Sequence, residues 1–422
     1  MSALDAWLAR QEAAHPHSID LGLGRIAAAA RALKLGKPAG RVITVAGTNG
    51  KGSTVAILEQ LLRAAGLRTG TFTSPHLSRY NERIRIEGLE VSDEALIDAF
   101  ERIEAARGTT SLTFFEYNAL AAFLAIEGEH ADAAVLEVGL GGRLDAVNLV
   151  DADAVVLCSI GLDHRDWLGE TLEQIGAEKA GVLRRGVPTI LATAAMPLSV
   201  HAAAHDAQAK LWIAGRDYYW AQGDAGAPDR WAWRGACSQL EDLARPALAG
   251  EVQLRNAAAA LAALESLGLM TSLDPKRVSE ALQSVELPGR FERRRDAFHV
   301  DWILDVAHNA PAAHELAVRL ASLPRQRTIG VAGILADKDA AAITMAVRDC
   351  IDEWIFCTLP GPRGSSAADV AARARHAVAH AQQCESVTSG CARAREIAHA
   401  GDRVVVFGSF HTVGPAREFL QL

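Results

Sequence analysis

Lys51 stands in Gly47-Thr-Asn-Gly-Lys-Gly-Ser53, a single cation among three glycines and two hydroxyls. A turn of this composition leaves amide groups unpaired, and its glycines let an anion approach the backbone closely. Val42-Ile-Thr-Val45 before it is β-branched throughout, as in a buried parallel strand, and the apolar positions Val55, Leu58, Leu62 and Ala65 after it recur at helical spacing. The turn therefore opens a helix, whose dipole adds to the charge of Lys51. Ser53 can cap that helix or offer its hydroxyl to a magnesium ion bound to phosphates. Gly47, Thr48, Asn49, Gly50, Lys51, Gly52 and Ser53 together read as a nucleoside-triphosphate loop. Gly52 departs from the general pattern, in which Ser or Thr follows the lysine directly.

Other residues with chemistry to offer stand where apolar runs end. Ser74 opens the polar, basic stretch that continues through Arg83 to Ile86. Glu137 closes the run Ala133–Val138, and a carboxylate there is costly unless paired or metal-bound. His164 follows the run Ala154–Ile160 in Gly161-Leu-Asp-His-Arg-Asp-Trp-Leu168. Asp305-Val-Ala-His308 and Gly408-Ser409-Phe-His-Thr412 follow two further strands, which favours ligand binding over simple loop stabilisation. Phe114 and Phe115 suit either a core or one wall of a pocket for a flat ring. Ser18 and Asp20, in a loop between two helical stretches, suit capping of the second.

The elements needed to position these residues alternate between strand and helix. Strands are expected at 42–45, 69–73, 133–138, 154–160 and 188–192, with helices near 92–106 and 171–183 and an alanine-rich helix opened by residues 113–117. Such alternation predicts an α/β chain with a doubly wound, mostly parallel sheet carrying the phosphate loop. Leu287-Pro-Gly-Arg-Phe-Glu292 breaks the pattern like a hinge. Strands near 300–306, 327–333, 353–358 and 402–408 then predict a second, smaller, Rossmann-like α/β domain. The expected division is 1–290, an ATP-binding domain, and 291–422. Residues 193–250, with tryptophans at 212, 220, 231 and 233, read as short edge strands packed by tryptophan.

A length of 422 residues accommodates two domains, and a net charge of −8 with mixed signs argues against nucleic acid as the main partner. No segment approaches the ~20 apolar residues of a membrane span, and no signal peptide is read at the N-terminus, so a soluble, cytoplasmic protein is expected. Six cysteines without a CxxC pair read as free thiols.

The motifs GTNGKGS, SPHLSRYNERIRI, EVGLGGRLDA, GLDHRDWLG, EKAG, LPGRF, DVAHN, ILADKD and GSFHTV, in this order, resemble those of the bifunctional dihydrofolate synthase and folylpolyglutamate synthase family within the Mur ligases. The resemblance implies ATP-dependent attachment of L-glutamate to dihydropteroate and reduced folates through an acyl phosphate. It implies magnesium, two ions in all, with Ser74, Glu137 and His164 as ligands. Nucleotide contacts would come from Asn256, Arg290 and Asp305, and Lys179 would be carbamylated, although EKAG without family context reads as an ordinary surface lysine. Dihydropteroate would be bound by Ser18, Ile19, Asp20, Leu21, Phe115, Leu144, Asp145 and Ala146. Arg83, His308 and Ser409 would serve substrate, with His308 binding or deprotonating glutamate, and a monomer is expected. A folate-only ligase, a Mur ligase acting on a peptidoglycan precursor and a nucleotide-switched binding protein are the competing readings.

Overall fold

The β-branched run after Arg41 forms β1 (Arg41–Ala46), buried from Val42 onward. It lies inside a sheet with β2 (Thr69–Phe72), β3 (Ile84–Ile86), β4 (Leu89–Glu90), β5 (Ala133–Glu137), β6 (Ala154–Leu157), β7 (Pro188–Leu191) and β8 (Lys210–Ile213). The computed structural model describes residues 2–15, 19–223, 227–248 and 250–422. Among them the sheet order is β4-β3-β2-β5-β1-β6-β7-β8, parallel from β2 to β8 and antiparallel at β3 and β4. The chain leaves β1 for β2 on one side and returns through β5 to β6 on the other, so the topological switch point lies at the carboxyl ends of β5, β1 and β6. This is the doubly wound sheet expected.

Two compact units divide the chain. The first holds residues 2–76, 81–247 and 251–286; the second holds 77–80, 248–250 and 287–422. The boundary at 286/287 falls at the start of the Leu287–Glu292 segment. In the second unit the order is β12 (Glu292–Arg295), β13 (Asp301–Asp305), β17 (Arg403–Phe407), β14 (Thr328–Ala332), β15 (Glu353–Cys357) and β16 (Gln382–Cys384). All neighbours are parallel except β12, one of the two edge strands, whose Arg293, Arg294 and Arg295 are exposed. Core side chains cover both faces of this sheet, Phe356 and Phe407 on one and Trp302 and Val406 on the other.

The tryptophan-rich segment follows the sequence reading only in part. Trp212 lies on β8, an edge strand of the main sheet, and a helix (Leu198–Asp206) precedes it. Trp220, Trp231 and Trp233 belong to a separate antiparallel sheet of β9 (Tyr219–Gln222), β10 (Arg230–Arg234) and β11 (Gln239–Ala244). The Gly and Asp punctuation had obscured alternation on β10, whose residues 231 and 233 face inward. The indole N–H of Trp231 donates to Ala244 O at 3.0 Å, and that of Trp233 donates to Ala258 O at 3.1 Å on the helix Glu251–Ser266.

Trp233 thus ties the small sheet to that helix by burial as well as by a hydrogen bond. Trp233→Ala is expected to destabilise the first unit by about 3–5 kcal/mol, read from the denaturant midpoint.

Candidate active site

Gly50 caps the helix Lys51–Ala64 with φ +93°, a backbone conformation open to glycine at little cost, and Ser53 therefore lies inside the first turn and is not its cap. The loop is held in shape by the end of β6. Thr48 N–H donates to Ser159 O at 2.7 Å, and the Thr48 hydroxyl donates to Gly161 O and accepts from Gly161 N–H at 2.9 Å. Asn49 N–H donates to the Ser159 hydroxyl at 3.1 Å. Lys51 Nζ donates to Thr48 O at 3.3 Å and stands 4.0 Å from Glu137 Oε1. Asn256 borders the loop: a Cβ on Gly50 would lie 3.1 Å from its Oδ1, a buried acceptor with no hydrogen-bond partner among the described residues.

Parallel pairing sets Glu137 beside Val45 on the neighbouring strand, at the sheet edge where the loop begins. Its Oε2 accepts the Ser74 N–H at 3.3 Å. His164 follows β6 with φ +50°, capping the short helix Arg165–Leu168, and its N–H donates to Asp163 Oδ1. The oxygens of Ser74 and Glu137 suit a hard divalent cation, and one imidazole is compatible with magnesium or manganese.

Lys179 is buried, unlike the exposed lysine that the amphipathic helix pattern alone suggests. Its Nζ donates to Gly47 O at 3.0 Å. Burial, with the Lys51 charge nearby, lowers its pKa to about 7. The helix Leu172–Ala180 that carries it is tied to the loop after β5. Arg143 N–H donates to Glu178 O, the Arg143 guanidinium pairs with Glu178 at 2.9 Å, and a Cβ on Gly142 would come within 2.6 Å of Lys179 O.

The same loop forms one side of an aromatic wall. Phe115, half-buried, packs so closely on Gly139 that a Cβ there would be 2.4 Å from the ring, and Phe72 flanks it at 5.7 Å between centroids. Arg83 lies over Phe114 at 5.6 Å and donates to His76 Nδ1 at 2.8 Å. Asp145 is buried; it accepts the N–H groups of Leu140 and Val147 at 2.8 and 2.9 Å, and burial raises its pKa to about 6. Leu144 is half-buried, and Ala146 is buried at the start of the turn that Asp145 caps.

Ile19, Asp20 and Leu21 are half-buried, while Ser18 lies outside the described residues. Asp20 does not cap the next helix, whose N-cap is Leu23; it pairs with Arg25 at 2.8 Å. Arg25 in turn reaches Glu116, the acid of a capping box with Thr113.

In the second unit, Asp305 accepts Phe291 N–H and Ala307 N–H, both at 2.9 Å, and burial raises its pKa against the pull of Arg290 and Arg319. Arg290 lies over Phe410 at 5.3 Å. His308 Nδ1 meets Val306 O at 2.9 Å; because a carbonyl only accepts, Nδ1 carries the proton and leaves Nε2 as the acceptor in the neutral ring. The Ser409 hydroxyl bonds that of Thr412 at 2.8 Å, which donates to Gly333 O.

The structure thus gathers Lys51, Glu137, Ser74, Asn256 and Lys179 about one loop, and Arg290, Asp305, His308 and Ser409 about the carboxyl edge of the second sheet. The Thr48–Ser159–Gly161 lock escaped the sequence reading, since no motif marks Ser159. Glu116 also escaped it, although Thr113-x-x-Glu116 is a legible capping box.

Residues 45–264 match the Mur ligase middle domain, and residues 289–410 match the Mur ligase glutamate ligase domain. The chain is 41% identical over 420 residues to a dihydrofolate synthase/folylpolyglutamate synthase of Escherichia coli, covering 99% of this chain and 96% of that one. The structure of E. coli FolC in complex with DHPP and ADP is similar at a TM-score of 0.92 and 40% identity, covering 100% of this chain and 98% of that one. A bifunctional folylpolyglutamate synthase/dihydrofolate synthase with Mn, AMPPNP and L-glutamate bound gives a TM-score of 0.91 at 41% identity, covering 100% and 99%.

The depressed pKa of Lys179 makes a stability prediction. The unfolded chain, with an ordinary lysine pKa of 10.5, binds more protons than the native one between about pH 7 and that value. Stability from this group therefore rises with pH across that window and is lowest below it. Lys179→Met is expected to raise stability at pH 6, by on the order of 2–4 kcal/mol after loss of the Gly47 hydrogen bond. The gain should vanish toward pH 10.5 in denaturant titrations at each pH.

Proposed function

This chain belongs to the Mur ligase family, among its dihydrofolate synthase/folylpolyglutamate synthases, and we propose how its residues divide one reaction run on two acceptors. It is an ATP-dependent carbon–nitrogen ligase that adds L-glutamate to dihydropteroate, giving dihydrofolate, and to reduced folates, giving folylpolyglutamates. The observation that carries the assignment of roles is the grouping of Lys51, Glu137 and Lys179 about the Gly47–Ser53 loop.

A carboxylate is a poor acyl donor because oxide would have to leave. The acceptor carboxylate attacks the γ-phosphorus of ATP, ADP departs, and an acyl phosphate forms; the glutamate amine then attacks the acyl carbon and phosphate departs. Both steps bring anions together, so positioning and neutralised charge account for most of the catalysis. Lys51 and the loop amides bind the phosphates, with Thr48, Asn49 and Ser53 lining them. Asn256, Arg290 and Asp305 contact the nucleotide, and the buried, partnerless Oδ1 of Asn256 supports this for that residue.

Ser74, Glu137 and His164 would hold the divalent cation, which supplies charge neutralisation at the phosphates. His308, with Nε2 as the acceptor, takes the proton from the glutamate ammonium, and Ser409 assists in binding that amino acid. Phe115 offers a ring face to the pterin beside Arg83, Leu144 and Ala146, while Ile19, Asp20 and Leu21 approach from the N-terminal segment, to which Ser18 belongs. Asp145 supports the wall by fixing the Leu140–Val147 turn.

Lys179 is proposed to carry a carbamate. A neutral amine is available near pH 7; its nitrogen bonds to the carbon of CO2, that nitrogen loses one proton, and the neutral amine becomes a carbamate anion that would support a second divalent ion. Labelled bicarbonate should give a carbamate resonance in the wild type that is missing in Lys179→Met. A bare ammonium in a bicarbonate-equilibrated crystal with bound ligands would exclude it.

Glu137→Ala is expected to fold and to lose turnover by at least about a hundredfold, measured as phosphate release; near wild-type rates at limiting magnesium would remove Glu137 from the metal site. Phe115→Ala should raise KM for dihydropteroate by about ten- to a hundredfold while leaving KM for ATP unchanged. Phosphate release with a reduced folate but none with dihydropteroate would reduce the enzyme to a folate-extending ligase.

A further inference from the structure

Arg319 lies in the helix Ala310–Ala321, outside every motif discussed above. Its side chain is only 11% exposed, and its Nε and one terminal nitrogen are buried with no hydrogen-bond partner among the described residues. A guanidinium so placed is costly. Two contacts offset the cost. Its other terminal nitrogen stands 3.7 Å from Asp305 Oδ2, and its plane lies over the Phe291 ring at 4.1 Å.

Phe291 is itself strained. Its φ is +53°, in the left-handed region that bulky residues avoid, at a cost of roughly 1–3 kcal/mol. Its N–H donates to the same Oδ2 of Asp305 that faces Arg319. One guanidinium therefore braces both the ring and the carboxylate that fix this backbone twist. The residue before the twist is Arg290, so the conformation of Phe291 sets the direction in which Arg290 leaves the chain.

We propose that Arg319 is a positioning residue for nucleotide binding, which holds Asp305 and the left-handed Phe291 so that Arg290 and Asp305 stand ready for the ligand. One terminal nitrogen faces Asp305 and the guanidinium plane covers Phe291, so Arg319 acts through these two neighbours. The inference rests on the assignment of Arg290 and Asp305 as nucleotide contacts. It does not rest on the charge of Arg319 alone: a lysine would keep the attraction to Asp305 but lose the flat face that stacks on Phe291.

The test is calorimetric titration of the full-length protein with magnesium ADP. Arg319→Gln should weaken binding about tenfold, the loss of roughly one charge-assisted contact. Arg319→Lys should recover part of that loss, and Phe291→Leu, which keeps an apolar side chain without the ring, should weaken binding in the same direction. Combined with Arg290→Ala, Arg319→Gln should cost much less than it does alone, because its effect passes through Arg290. A purely structural role would lower thermal stability and leave ADP affinity unchanged.

If Arg290→Ala and Asp305→Asn weaken ADP binding while Arg319→Gln and Arg319→Lys do not, the inference is overturned and the assignment beneath it stands. If neither Arg290→Ala nor Asp305→Asn alters binding, both fall. Should Arg319→Gln fail to fold, Arg319→Lys and Phe291→Leu decide the question in the same titration.

Discussion

A helix start that faces ligand must keep its amides open, so its own hydrogen bonds cannot hold it in shape. In this chain the stabilisation comes from outside the helix. Thr48 is locked to Ser159 and Gly161 at the end of the neighbouring strand, and Lys179 holds the carbonyl of Gly47 from the other side. The loop is thereby set before any phosphate arrives, at the cost of burying an amine. Glu137 is placed against it by strand register, and Ser74 by its N–H bond to Glu137.

The aromatic wall depends on the same scaffold at one remove. The loop after β5 is pinned below by Asp145, which collects main-chain N–H groups, and alongside by Arg143 and Glu178. Gly139 lets Phe115 settle on that loop, and Gly142 lets the loop settle on the helix carrying Lys179. Acceptor wall and phosphate loop therefore share one rigid support within the first unit.

Strand and helix order was legible because buried parallel strands are short β-branched runs and the helices between them keep their period. Ser74, Glu137 and His164 were legible as strand-end residues. The partners of these residues were harder to read. Nothing in Ser159 or Arg319 marks it locally, since each acts through a contact made only when distant segments meet. Asp favours helix caps, yet at Asp20 the tertiary pairing with Arg25 prevails. In the tryptophan segment Gly, Asp and Pro interrupt the alternation, so the sequence shows short strands but not that β9, β10 and β11 form a sheet of their own.

The edge strand β12 carries three successive exposed arginines, two of them leaning on acids of the same hairpin, Arg294 on Glu292 at 3.4 Å and Arg295 on Asp301 at 3.7 Å. An unpaired strand edge is a template on which another chain can add a strand, and this one lies beside a hydrophobic core. A second copy docking there would have to bring its own arginines against these and strip water from all of them. The charges therefore guard this edge of the six-stranded sheet against edge-to-edge aggregation.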